Sequence, residues 1–246
     1  MKVETRQLWL KTACNMLIST FLFGVLFAVL YIVELLVPSL QGVLLKFSDT
    51  AFCIGIPASI IGVGYVLSIR NPANYTGFFM GILMSVLLGV QMFLLGDYTS
   101  TFLYICVFAP FQIMSIRAWT KTSKTNAEAT EPLRPKFLET KQMLVSLFVF
   151  AALMAVVYLL ETFVFGNENV LSKVLRGALL ASVILANFWL IYKKIDSWIY
   201  WTIYSIVGIV IFTINGNIFN VVLFFFFLII NGMAGISWIK MSKIKE

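Results

Sequence analysis

The sequence predicts an all-α polytopic membrane protein of about eight transmembrane helices, and three observations carry that reading. Of 246 residues, 61% are hydrophobic and only 12% charged, with a mean hydropathy of +0.96. A soluble domain needs more polar surface than this to cover its core. The apolar residues fall in blocks of roughly 17–23, the length a helix needs to cross ~30 Å of hydrocarbon. The basic residues collect in alternate gaps between those blocks, as they do when one side of a membrane retains them.

In chain order the blocks predict helices at 16–37, 51–69, 74–95, 100–117, 143–165, 171–191, 198–214 and 218–239. The first block is not read as a removable leader, because it follows a basic start and precedes further spans. Pro38 and Gly42 end it, and 38–50 reads as an interfacial turn with Lys46 and Asp49. Arg70-Asn71-Pro72 and Gly96-Asp97 bound the third block; Gly166-Asn167, Lys193-Lys194-Ile195-Asp196 and Asn215-Gly216-Asn217 separate those of the second half. Residues 118–142, with Pro132 and Pro135, form the one sizeable polar stretch and read as a tether between halves.

Eight spans put both tails and the even-numbered connections on one side. Every basic residue but Lys46, Lys173 and Arg176 then falls there. The positive-inside rule makes that side cytoplasmic and predicts a multi-pass protein of the cell membrane with both termini inside. The net charge of +7 is thereby explained by topology and implies no nucleic-acid partner. Histidine is absent, which excludes imidazole as base, nucleophile or ligand. Cys14, Cys53 and Cys106 stand alone and show no metal-ligand spacing. No metal and no cofactor is implied, and without a Ser/Lys or Asp pair at helical spacing no enzyme is expected.

The halves resemble each other. Trp119 follows Gln112 by seven positions, and Trp238 follows Asn231 by seven, each pair on a helix that follows a matched breaker. Four segments result: 1–50, with tail, extra helix and turn; 51–119, a three-helix bundle; 120–170, linker and joining helix; and 171–246, a second bundle with a basic tail. Three spans leave the chain on the far side, so a joining helix must return it before the triplet repeats in the same sense. The predicted arrangement is two parallel bundles, 3+1+3, with a site between them.

Arg70-Asn71-Pro72-Ala73-Asn74-Tyr75-Thr76-Gly77, Gly96-Asp97-Tyr98, Pro110-Phe111-Gln112 and Trp119 resemble the first half of the Pnu-type nicotinamide riboside transporters. Asn187 with Lys193-Lys194, then Trp198-x-x-Trp201, and Gly235-x-x-Trp238-Ile239-Lys240, are similar to that family's second half. The resemblance spans about residues 51–243 and implies a SWEET-like fold with facilitated diffusion of a vitamin, often nicotinamide riboside. Sister branches carry thiamine or riboflavin. Members often have Asn four residues after the second tryptophan; here Ser205 stands there, a departure that bears on the substrate.

A nucleoside inside a membrane needs aromatic faces to stack on and hydrogen-bond partners for its hydroxyls and amide. Trp201 and Tyr204 share a helix face and are assigned to stacking or gating, with Ser205 beside them. Gln112 and Asn231 are mid-span carboxamides, either helix–helix glue or ligand contacts. The family resemblance favours Asn187 as a ligand contact, and Tyr65 and Tyr104 complete the candidates. Trp198, Trp119 and Trp238 read as interfacial anchors. Glu34 and Glu161 are the only carboxylates inside spans and lie outside the triplets, which favours uniport over ion coupling. The partners implied are a small vitamin or nucleoside and membrane lipid, and a homo-oligomer is left open. Two functions compete: a uniporter whose product a cytoplasmic kinase traps, and a vitamin-binding subunit of a separately energised complex.

Overall fold

A computed structural model describes residues 3–37, 39, 42, 45–129, 134–166, 169–216 and 218–243. Pro38, Pro132, Asn167, Asn217 and Lys245 lie outside the described residues, as do the side chains of residues 3, 4, 122–129 and 219. The described part is helical: α1 Val3–Leu36, α2 Thr50–Ile69, α3 Gly77–Leu94, α4 Tyr98–Phe102, a π-turn Leu103–Phe108, α5 Ala109–Ala129, α6 Thr140–Phe163, α7 Val170–Ile191, α8 Ser197–Ile214 and α9 Ile218–Lys243. Eight helices among the described residues are long and apolar enough to cross a membrane, with α4, the π-turn and the start of α5 forming one span. The protein is a multi-pass membrane protein.

Helix ends follow local chemistry. Asp49 accepts from the Ala51 and Phe52 amides at 2.8 and 3.4 Å and starts α2. Asp97 does the same for Ser100 at 3.0 Å, and Glu139 with Gln142 forms a capping box on α6. Gly96 ends α3 at φ 73°, where the Asp97 amide reaches the Met92 carbonyl at 2.9 Å. Pro110 cannot donate to the carbonyl four residues back, and the helix bonds just before it slip to the wider π register. Two expectations are corrected. The first helix begins at Val3 rather than 16, and α5 carries the first twelve residues of the expected tether, to Ala129. Polar residues that continue a helix beyond the hydrocarbon leave no mark in a hydropathy profile.

The chain forms two compact units, Met1–Thr120 and Lys121–Glu246. In the first, α1 packs along α2, α2 along α3, and α3 along the π-containing span. In the second, α6 packs along α7, α7 along α8, and α8 along α9. Only 11% of the spanning window is buried in α1 and in α6, against 56% in α2 and 61% in α7. Each unit is therefore a triplet with one flanking helix whose outer face meets lipid. Small residues permit the contacts: Gly64 receives the Met16 side chain, and Gly177 lies against the Met154 backbone.

Lys193 ends α7 at φ 54°, in the left-handed conformation held elsewhere by glycines. The Lys194 amide bonds to the Trp189 carbonyl at 3.0 Å, which requires that turn. Burial strips water from the amine and pushes its pKa down to about 7. The unfolded chain, with an ordinary lysine pKa of ~10.4, binds more protons between those values, so stability rises with pH across that window. Lys193→Gly removes the backbone strain, about 1 kcal/mol, together with the pH dependence. Its melting temperature should exceed wild type's at pH 6 and converge toward it at pH 10. Parallel pH slopes would contradict this account.

Candidate functional site

In the second unit Trp201, Tyr204, Ser205 and Asn231 meet where α8 packs against α9, whereas Asn187 on α7 bonds to its own helix. Trp201 and Ser205 stand one turn apart on α8, and the Ser205 hydroxyl donates to the Trp201 carbonyl at 2.9 Å. Asn231, two-thirds of the way up its apolar run on α9, donates through Nδ2 to that carbonyl at 3.1 Å and to Ser205 Oγ at 3.0 Å. Its Oδ1 is buried and makes no hydrogen bond among the described residues. One half of the carboxamide therefore joins the helices, and the other half remains an acceptor in a place without water. The Trp201 and Tyr204 rings meet edge to face at 5.5 Å, and Tyr204 leans on Phe224 at 5.1 Å. Asn187, fully buried on α7, donates to the Val183 carbonyl of its own helix at 2.7 Å.

The first unit has a parallel arrangement with different residues. Gln112 on α5 and Tyr65 on α2 converge on Gly81 of α3. A Cβ placed there would lie 2.7 Å from Gln112 Oε1 and 2.9 Å from the Tyr65 ring. The Ser85 hydroxyl bonds to the Gly81 carbonyl at 2.6 Å, as Ser205 does to Trp201. Gly81 thus holds the position that Trp201 holds in α8, each five residues into its helix. Tyr104 lies in the π-turn against Phe108, which also touches Tyr65. The candidates accordingly divide: Tyr65, Tyr104 and Gln112 in one unit, Asn187, Trp201, Tyr204, Ser205 and Asn231 in the other.

Three tryptophans depart from expectation. Trp119 and Trp238 are fully buried rather than anchored at an interface: Trp119 meets Phe78 edge to face at 4.7 Å, and Trp238 meets Trp198 at 5.4 Å. Phe78 and Trp198 are the second residues of α3 and α8, so each pair locks the third helix of its triplet to the second. An amphipathic ring suits an interface and a helix junction equally well, and composition does not separate them. A polar residue overlooked in the sequence is Gln91, buried on α3 against Gly55. The criterion that found Gln112, a carboxamide within an apolar run, also fits Gln91.

The intramembrane carboxylates have local roles. Glu34 accepts from the Leu45 amide at 2.9 Å, and Glu161 lies 3.9 Å from Arg176. Lys173 donates to Thr162 Oγ1 at 3.0 Å and sits 4.5 Å over the Tyr158 ring. Among the described residues no cluster of three or more carboxylates or thiols is arranged to hold a metal.

Two units of matched build, each with a buried neutral polar cluster and an aromatic wall, suit passage of a small polar molecule. The model of a protein family described as nicotinamide mononucleotide transporters matches residues 52–240. The chain belongs to that family. It is a transporter by family, not an enzyme. The crystal structure of the vitamin B3 transporter PnuC superposes with a TM-score of 0.68 at 16% identity, covering 99% of each chain, which shows a common fold. A search of curated proteins finds no match.

Proposed function

We propose that the protein mediates facilitated diffusion of nicotinamide riboside or a closely related vitamin nucleoside, with a cytoplasmic kinase trapping what enters. The observation that carries this is the Trp201–Ser205–Asn231 cluster. It offers a ring to stack on and an uncommitted carbonyl oxygen for an amide or ribose donor. The eight candidate residues are all neutral. A phosphate brought beside them would lack the cation that a buried anion needs, so the riboside fits better than the mononucleotide. The arrangement proposed remains two parallel three-helix bundles, 3+1+3, supported by the matched Gly81/Trp201, Ser85/Ser205 and Gln112/Asn231 positions. Both termini are proposed to be cytoplasmic.

Purified protein in liposomes tests the mechanism. Labelled nicotinamide riboside should equilibrate to equal concentrations inside and out, faster than thiamine, riboflavin or nicotinamide mononucleotide. Uphill accumulation driven by a proton or sodium gradient would overturn uniport. Binding without flux would instead support a subunit of an energised complex. Orientation is tested in a variant without Cys14, Cys53 and Cys106. A cysteine at Tyr98 should react with an impermeant thiol reagent in intact cells, and one at Ser242 should not.

A further inference from the structure

Helix α1 precedes both triplets and carries none of the candidate substrate residues, yet side-chain hydrogen bonds join it to the first unit. Thr12, Asn74 and Thr76 are all buried. The Thr76 hydroxyl donates to Asn74 Oδ1 at 2.6 Å, the Thr12 hydroxyl to Thr76 Oγ1 at 2.7 Å, and Asn74 Nδ2 to Thr12 Oγ1 at 3.1 Å. The three side chains thus close a ring in which each donates once and accepts once. One turn further along α1, Asn15 donates to Ser68 Oγ at 3.1 Å, and Ser68 donates to the Gly64 carbonyl at 2.7 Å. These bonds fall on the end of α2 and on the turn 70–76 that leads into α3. Toward the other end of α1 the contact is apolar, with Leu26, Phe27 and Val33 packed around Leu30, Leu45 and Phe52. Apolar packing therefore suffices for one half of the helix, and the polar ring is placed on the turn.

That turn sets two candidate residues against each other. Tyr65 lies one turn before the end of α2, and Gly81 is five residues into α3. Gln112 and the Tyr65 ring both press on Gly81 without slack, so a small slide of α3 along α2 displaces them. The start of α3 is seated on the same end of α2: a Cβ at Gly77 would lie 2.8 Å from the Cβ of Ser68, the residue that Asn15 holds. The second unit fixes its own turn by other means. There the chain entering α6 lies on the turn after α7: Lys136 bridges Lys194, and the Leu138 amide bonds to Asp196 at 2.7 Å. Each turn is thus held by the segment that leads its unit, although the chemistry differs. What the two share is that the turn is held.

We propose that α1 is a positioning helix for the first unit's substrate cluster, and that Thr12 acts on it through the turn joining α2 to α3. The proposal rests on the transport reading, in which Tyr65 and Gln112 meet the substrate. Thr12 itself touches none of the candidate residues in the bonds that form the ring. Valine in its place keeps the shape, opens the ring and leaves Asn74 Nδ2 a buried donor without that acceptor.

Uptake of labelled nicotinamide riboside into liposomes, resolved into half-saturation concentration and maximal rate, is the measurement. Thr12→Val should raise the half-saturation concentration about threefold or more, the scale on which one hydrogen bond acts, and Thr12→Ser, which keeps the hydroxyl, should restore it. Half-saturation does not depend on how much of the protein is folded. A helix that only stabilises would lower the melting temperature and the maximal rate and leave half-saturation alone. Ser19→Ala should show that second pattern, because it removes α1's bond to the Ile60 carbonyl, away from the turn. Gln112→Leu, within the cluster, should raise half-saturation as Thr12→Val does. A wild-type value in Thr12→Val beside a raised one in Gln112→Leu would overturn the positioning role and leave the cluster standing. Wild-type values in both would remove the cluster from substrate binding, and the proposal with it. A rise in Thr12→Val alone would show that α1 acts elsewhere and would equally overturn it. Wild-type protein without saturable uptake would end the transport reading and this inference together. Should Thr12→Val fail to fold, Thr76→Val, which removes the ring's other hydroxyl, is read against the same outcomes.

Discussion

Trp201→Ala should lower affinity for nicotinamide riboside by about 1–3 kcal/mol, the range seen when a base loses an aromatic platform. The ring stands edge to face with Tyr204, and its backbone carbonyl receives both Ser205 and Asn231. Alanine keeps that carbonyl, so the helix junction survives while the stacking face is lost. Trp201→Phe should retain much of the affinity for the same reason. Asn231→Leu and Asn187→Leu keep bulk but remove hydrogen-bonding groups, and each should cost about 1–3 kcal/mol if a substrate group is left unpaired. Trp198→Ala is the comparison. Its ring packs on Trp238, so it should lower the melting temperature and leave affinity intact. Calorimetry on folded, monodisperse protein measures the affinities. Unchanged affinity in Trp201→Ala, Asn231→Leu and Asn187→Leu together would dismiss the second-unit cluster and leave Gln112 and Tyr65 of the first unit as the candidates.

The second large effect is structural. Gly208 sits where α8 passes α9, and a Cβ there would drive into the Phe224 ring. That ring is buried and held by Tyr204, Phe212 and Phe227, so it has little room to retreat. Gly208→Ala should destabilise the protein by about 1–3 kcal/mol, a usual cost of overpacking. Gly208→Leu should prevent recovery of monodisperse protein. Phe224→Leu should rescue Gly208→Ala in part, a non-additivity expected of touching residues. Gly232→Ala on α9 meets open space and should be neutral. Melting curves of Gly208→Ala, Phe224→Leu, their double variant and Gly232→Ala decide; an additive double variant would show that the clash is not the cause. Tyr204 rests on Phe224, so Gly208→Ala should also disturb substrate affinity.

What was legible in the sequence was legible for local reasons. Eight spans could be read because lipid demands about twenty apolar residues in a row, a property of contiguous sequence. The ends at Asp49, Asp97 and Gly96 came from residues whose own side chains or backbone freedom cap a helix. The pairing of Gln112 with Asn231 was visible because each is a carboxamide in an apolar run, seven residues before a tryptophan. Gln91, which has no such companion, went unnoticed.

The amino-acid sequence by itself determined the membrane class, the number of crossings and the neutral, aromatic character of the candidate groups, since these depend on composition and spacing along the chain. Tertiary structure decided which partner each group takes. It turned Trp119 and Trp238 from interfacial anchors into helix junctions, and it placed α6 along α7 as α1 lies along α2. It also divided Asn231 into a bonded Nδ2 and an uncommitted Oδ1. Hydropathy reports how much a residue avoids water, but in a membrane lipid and protein are nearly equal refuges from it. Which of the two a side chain meets is therefore set by packing, and packing is a property of the folded helices together.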